Sequence, residues 1–321
     1  MPKTPGKRDH WHDLFEYAPL SLWEEDYSGI RQAFDELRAS GVTDLRSYLA
    51  DHPEFVSDCM ARIVVLDVNA KTYELFGANS KKELLANLEK IFRDRMEIHF
   101  ADELVDIWNG ITWYEREGVN YSLKGDPIDI QLWWQVLPGH EKTLDRVLVS
   151  MSDITVRKRT ENYLHYLGTH DVLTKLYNRA HFVDELARIE KEGPYPVSIL
   201  VADLNNLKAV NDSLGHAEGD NLLVRTAEIF HEALMKKDII ARMGGDEFAA
   251  ILPGLDAATA KSVLQRIRKL VEYNNAYYHE PELHIALGIA TSERGQPLEE
   301  VLRLADDHMY ADKRQYHRSA E

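Results

Sequence analysis

The segment VSILVAD is an almost uninterrupted apolar run that ends on a carboxylate, Asp203. The residues that follow, DLNNLKAVNDSLGHAEGDNLL, gather Lys208, Asn211, His216 and Asp220 into one short stretch. Further on, Gly244-Gly245-Asp246-Glu247 separates the apolar runs Ile239-Ile240-Ala241 and Phe248-Ala249-Ala250-Ile251-Leu252. Acids beside a turn without side chains, where a ligand can approach the backbone, have the makings of a metal or nucleotide site. Each residue also has a plainer account. Gly-Gly between apolar runs is a hairpin signal whose carboxylates can simply be solvated. An Asp at a strand end can be a turn residue, and Asp220, just ahead of an apolar periodic run, stands where a helix N-cap would. Lys208 reads as a solvated helix charge and His216 as a loop imidazole. Their concentration in one region is what turns the balance toward chemistry.

The elements that must hold these residues are partly legible. VSILVAD has the composition of a buried strand ending at Asp203, and the Gly-Gly segment that of a tight hairpin. An amphipathic helix is expected from Leu222 to about Met235. In the first half, LFEYAPLSLWEEDYS supplies a short strand. Ser28 can cap the helix GIRQAFDELRAS, and a second helical stretch from Thr43 to about Met60 is bent near His52-Pro53. RIVVLDVN is strand-like, AKTYELFG opens a helix, and PIDIQLWWQVLPG alternates like a half-buried strand with DRVLVSMSD as its antiparallel neighbour. In TVRKRTENYLHYLGTHD, Val156, Thr160, Tyr163 and Leu167 recur at alternating four- and three-residue spacing. That suits a short coiled-coil seam between two chains or an ordinary connector helix.

The 321 residues allow about two domains. A formal net charge of −16 works against gripping a phosphate backbone, so no nucleic-acid partner is expected, and a phosphorylated substrate needs metal ions or a local basic pocket. The single cysteine, Cys59, suits a reducing compartment. No apolar run approaches the roughly 18 residues of a membrane span and MPKTPGKRDH lacks a signal-peptide core, so the expectation is a cytoplasmic protein without direct membrane insertion.

Five segments, THDVLTKLYNR, VADLNNLKAVNDSLGHAEGD, ARMGGDEF, IALGIA and ADDHMYADK, occur in an order and spacing that resemble the GGDEF diguanylate cyclases. The first half, with its strand ending at Asn69, helix reaching Phe76-Gly77, late paired strands and Asp153-Ile154-Thr155 triplet, resembles a PAS sensory domain. The implied fold class is α+β. Residues 1–12 are expected to be a flexible N-terminus, and 13–153 a PAS-like antiparallel-sheet sensor with a helical insertion at about 28–60. A signalling helix would cover 154–169, and a domain with the central sheet of nucleotidyl cyclases and polymerase palms 170–321.

The resemblance implies condensation of two GTP into cyclic di-GMP with release of two pyrophosphates. One GTP would sit on each subunit of a two-fold homodimer, and cyclic di-GMP receptors would lie downstream. It places Asp203, the Leu204 carbonyl, Asp246 and Glu247 on two Mg2+ ions, with Mn2+ able to substitute, and gives Asp246 or Glu247 the role of general base. Asn211 and Asp220 fall to the guanine edge, Lys208 and Lys313 to phosphate, and backbone N–H groups around Asn205, Asn206 and Leu207 to an anion nest, with His216 nearby. Where the family usually has a phosphate-binding arginine this chain has His317, followed by Arg318. Where many members carry Arg-x-x-Asp for product inhibition it reads Met235-Lys236-Lys237-Asp238. That leaves Asp238 alone and no guanidinium fork for a bidentate grip.

The rival from another class is a catalytically silent GTP-binding relay. For the sensor, the ligand is not specified by the sequence. Cys59 stands outside the helix that flavin–cysteine chemistry requires, and His99 is the one tempting axial ligand for haem. Trp108, Trp113, Tyr114, Trp133 and Trp134 can line a pocket or simply fill a core.

Overall fold

The computed structural model describes residues 7–93 and 95–320, with side chains for 12–93, 100–316 and 318. The chain divides into two compact units between Glu161 and Asn162.

The first unit contains, in chain order, α1 (Lys7–Glu16), β1 (Ser21–Asp26), α2 (Ser28–Ala39), α3 (Leu45–Asp51), α4 (Glu54–Met60), β2 (Val64–Val68) and α5 (Ala70–Leu75). These are followed by α6 (Lys81–Leu85), α7 (Leu88–Ile91), α8 (Arg95–Trp108), β3 (Trp113–Tyr121), β4 (Pro127–Val136) and β5 (Val147–Asp153). The five strands form one antiparallel sheet in the order β2-β1-β5-β4-β3. Alternation decides which face is buried. Ile128, Ile130, Leu132, Trp134 and Val136 of β4 and Val147, Val149 and Met151 of β5 point into a core closed by Ile30 and Phe34 of α2, Cys59 of α4 and Phe100 and Leu104 of α8.

The helical stretch expected at 28–60 is present as α2, α3 and α4, with the break at His52-Pro53. Ser28 is not its cap: Tyr27 holds the N-cap position and the Asp26 carboxylate accepts from Ser28 N at 2.7 Å. Of the expected flexible N-terminus, residues 7–12 belong to α1, and residues 1–6 lie outside the described residues. Strand β3 has no counterpart in the sequence reading, because WYEREGVNY buries only Tyr114 and Asn120 and its polar residues hide the alternation.

Helix α9 (Thr155–Thr169) spans the boundary and buries none of its residues. The second unit continues with β6 (Tyr177–Asn178), α10 (Arg179–Glu192), β7 (Val197–Leu204), α11 (Leu207–Leu214), α12 (His216–Ala233), β8 (Ile239–Gly244), β9 (Glu247–Pro253), α13 (Ala257–Tyr278), β10 (Ile285–Thr291) and α14 (Leu298–Ala320). Its sheet runs β10-β7-β9-β8-β6, antiparallel except for the short β6–β8 pairing. All eight residues of β7 are buried, which is why its sequence reads as a continuous apolar run. Leu222, Ala227 and Phe230 of α12 with Val263 and Ile267 of α13 form one core, and Phe182 and Ile189 of α10 with Leu298, Val301 and Met309 of α14 form a second.

The helix expected to start at Leu222 starts at His216, after Gly215 at φ 90°. Asp220 therefore lies inside α12 and caps nothing. The apolar period begins late because the first turns of α12 lie against α11, where Gly219 replaces a side chain. Among the described residues, no helix is long and apolar enough to cross a membrane.

Candidate active site

Asp203 and Glu247 are directly opposed across the β7–β9 ladder, so their side chains leave the sheet on the same face. Asp203 is only 6% exposed, whereas Glu247 is exposed and Asp246, in the turn between β8 and β9, is half-buried. The turn takes Gly244 at φ 144° and Gly245 at φ 53°, backbone that side-chain-bearing residues rarely adopt. It is tied to the end of β7 by Leu204 N, which donates to the Asp246 carbonyl at 2.9 Å. The hairpin expected from Gly-Gly is thus present, and it sits against the strand that ends in Asp203.

Lys313 reaches this point from the other end of the unit. Helix α14 crosses β10 at Gly288, where an added Cβ would stand 2.1 Å from the Ala305 carbonyl oxygen. Leu287 N donates to Asp312 Oδ2 at 2.9 Å, and the next residue places its Nζ 2.6 Å from Asp203 Oδ1. The ammonium is the positive charge on Asp203 in this structure, at the place a metal ion or a phosphate-bound cation would share.

Past Leu204 the chain bends through Asn206, which is left-handed at φ 62° and ψ 14° and precedes the first residue of α11. Its Nδ2 donates to the Tyr316 hydroxyl at 3.3 Å. Asn205 N is spent on the His284 carbonyl at 2.8 Å, so it does not belong to the expected anion nest. The nest reduces to Asn206 and Leu207 at the head of α11, with Lys208 exposed one residue on.

The most specific feature lies between α11 and α12. Asn211 Oδ1 is buried without a hydrogen-bond partner, and Gly219 makes room for it: a Cβ there would fall 1.9 Å from that oxygen. A buried amide oxygen without a donor costs stability, so it asks for an N–H from a ligand. Asp220, next to Gly219, is exposed, and so is His216 at the start of the helix. Asn205 Oδ1 is a second buried oxygen without a partner.

Sequence reasoning missed Arg242. Its guanidinium forks onto the Gly245 carbonyl at 3.0 and 2.7 Å and pairs with Asp171 at 3.3 Å, clamping the Gly-Gly turn to the start of the unit. Burial works to raise the Asp171 carboxyl, but hydrogen bonds from Thr174 and the Arg242 charge hold it below the usual range. The only signal was the arginine in ARMGGDEF, to which spacing alone attaches no role.

No three His, Cys, Asp or Glu side chains converge on a point among the described residues. The donors present are nonetheless of the type Mg2+ takes, which is one or two carboxylates and a carbonyl with phosphate oxygens and water completing the octahedron. The His317 and His99 side chains lie outside those described, and Arg318 is exposed. Asp238 accepts from Met235 N at 2.8 Å within its own turn, and Lys237 Nζ donates to the Pro253 carbonyl at the end of β9 at 3.0 Å. Cys59 is buried, which pushes its thiol up to about 12 and leaves it unreactive.

The family described as "Diguanylate cyclase, GGDEF domain" matches residues 168–319. The C-terminal half of the chain is a GGDEF domain. The probable diguanylate cyclase DgcT of Escherichia coli (strain K12) is 28% identical over 229 residues, which cover 68% of this chain and 50% of that protein. The signaling protein YkoW of Bacillus subtilis (strain 168) is 32% identical over 180 residues, 53% of this chain and 22% of that protein. The chain thus spans half or less of the length of these curated relatives. The GGDEF domain of DgcB from Caulobacter crescentus, solved in complex with c-di-GMP, is 30% identical, covering 46% of this chain and 89% of that one with a TM-score of 0.42. All the site residues described above fall inside the matched GGDEF segment.

Proposed function

We propose that the chain is a diguanylate cyclase: two GTP are joined into cyclic di-GMP with loss of two pyrophosphates, each protomer of a homodimer contributing one GTP. The observation that carries this is the Asn211 oxygen, buried without a donor over Gly219, on the helix that follows the strand whose Asp203 pairs with Lys313. One end offers an acceptor to the N–H edge of guanine, with Asp220 beside it, and the other offers acids and an ammonium to the triphosphate. Adenine has no N1–H donor and would leave the acceptor unpaired, which favours guanine.

Asp203, Asp246, Glu247 and the Leu204 carbonyl are the groups that would hold Mg2+ or Mn2+. The bound metal supplies charge neutralisation at the phosphates and a lowered pKa for the attacking 3′-hydroxyl. Lys313 then moves from Asp203 to a phosphate oxygen, while Lys208 and the amides of Asn206 and Leu207 hold the others. The Gly-Gly turn admits the ribose and α-phosphate, and Asp246 or Glu247 takes the hydroxyl proton. Geometry between protomers is the natural control, since bond formation needs the hydroxyl in line with the partner's α-phosphate.

The first unit is proposed as a PAS-like sensor, supported by its five-stranded antiparallel sheet, helical cover and internal cavity. Helix α9 supports a dimer, since Val156, Tyr163 and Leu164 are 77%, 59% and 61% exposed on a helix without a core. The test is incubation of the full chain with Mg2+ and GTP and chromatographic separation of products. Cyclic di-GMP is expected, and D203N should lose it. A dimer that binds GTP yet makes no cyclic dinucleotide would establish the silent relay instead.

A further inference from the structure

Strand β1 alternates Ser21, Trp23 and Glu25 toward the core, so a carboxyl occupies a position where the pattern calls for an apolar side chain. Helix α8 does the same with Glu103, one turn after the buried Phe100. Both acids line a cavity of about 300 Å³ between the sheet and helices α4, α7 and α8, otherwise walled by side chains such as Phe92, Phe100, Leu132 and Met151. That volume is at the lower end for small-molecule sites.

The charges there are one-sided. Glu25 and Glu103 are 5% and 8% exposed, Glu89 stands at the rim, and no Lys, Arg or His lines the cavity among the described residues. Glu103 accepts from the Tyr114 hydroxyl at 2.8 Å, and Glu25 lies beside Tyr27. Arg116 acts on Glu103 from outside the cavity, where it is paired with Asp106, and Asp102 adds a negative charge nearby. Burial pushes both carboxyls up to about 7, against the tyrosine hydrogen bonds. A third group waits as well. Trp134, 1% exposed, lines the same cavity with its Nε1 buried next to Tyr27, whose hydroxyl it acts on without meeting full hydrogen-bond geometry.

Two buried acids without a buried cation are costly, and a positive ligand removes the cost. A divalent metal would require about six oxygen ligands, which these apolar walls do not supply. We propose that this cavity binds a small organic amine, its ammonium between Glu25 and Glu103, its apolar body against Phe92, Phe100 and Met151. The Trp134 N–H faces an acceptor on the ligand, and the indole ring can add cation–π attraction. The inference deepens the sensor reading, and the site itself rests on the first unit alone.

The test titrates the full chain with 2-phenylethylamine, n-hexylamine and 1,4-diaminobutane, and with 2-phenylethanol and 3-phenylpropionate as neutral and anionic counterparts. Intrinsic fluorescence serves as readout, since all six tryptophans lie before Glu161 and Trp134 is in the wall. At least one amine should bind tenfold or more tightly than the alcohol, and the acid should not bind. E25Q and E103Q should each weaken the amine by tenfold or more and leave the alcohol unchanged. If these variants fail to fold, the wild-type protein decides: affinity for the amine, protonated throughout, should rise several-fold from pH 6 to pH 8 as the carboxyls ionise. Equal binding of amine and alcohol, binding of the acid, a flat pH profile, or no binding by any amine overturns the proposal. Product formation from GTP in the same preparation reports separately on the cyclase reading. Normal synthesis without amine binding sinks only this inference.

Discussion

Replacing Arg242 by alanine removes a side chain that joins the Gly-Gly turn to Asp171 at the start of the GGDEF domain. The Arg242 and Asp171 side chains are 16% and 25% exposed, between a surface pair worth about 0–1 kcal/mol and a buried pair whose breaking costs about 3–5 kcal/mol. Thr174 still donates to Asp171 at 2.8 and 2.7 Å, which softens the loss. The expected destabilisation is therefore about 2 kcal/mol. The turn itself loses two hydrogen bonds on the Gly245 carbonyl, and a shift of about 1 Å in a positioned group can cost ~100-fold in rate. R242K should recover part of the stability through its charge but little of the rate, because an ammonium cannot fork. Urea unfolding resolves this in two channels. Tryptophan fluorescence reports only the first unit and should not change, while far-UV circular dichroism follows both and should show an earlier transition. The Asp171 carboxyl is held low in the folded state, so its contribution is present above the unfolded pKa and lost as pH falls through the folded one. The difference between wild type and R242A should accordingly shrink below about pH 4. Wild-type product rate in R242A, or a stability change under about 0.5 kcal/mol, would refute the clamp.

Three further outcomes are expected. Gly219→Ala should lower GTP affinity tenfold or more by displacing Asn211, with little loss of stability since alanine favours a helix by ~1 kcal/mol; calorimetric binding equal to wild type would remove Asn211 from the base pocket. Glu25 and Glu103, both raised to about 7, bind more protons folded than unfolded. Fluorescence-monitored stability of the first unit should therefore fall as pH rises from about 4.5 to 7 and level off above, by about 3 kcal/mol per carboxyl at most, and E103Q should flatten the slope. Cyclic di-GMP should not inhibit through Asp238, whose carboxylate caps its own turn at Met235 N. Submicromolar inhibition abolished by D238A would show otherwise.

What could be read from the sequence was whatever the chain settles locally. VSILVAD reads as a buried strand because its apolar run is almost uninterrupted, and Gly244-Gly245 had to turn, so both were visible with Asp203 and Asp246 at their ends. Contacts between distant segments were not. Arg242 meets Asp171 across 71 positions and Lys313 meets Asp203 across 110, and neither separation leaves a periodic trace. The start of α12 was misplaced for a related reason. Helix periodicity records burial against a core, and the face of α12 at Gly219 is shaped instead to admit the side chain of Asn211. The sequence rule failed at the point where the structure leaves an oxygen without a partner. The same holds in SLWEED, where the alternation is regular and Glu25 breaks only its chemistry. A carboxyl in phase with Ser21 and Trp23 is turned toward the core by the strand itself, so its burial follows from the pleat. Its retention there needs a separate cause, and a cationic partner in the cavity supplies one.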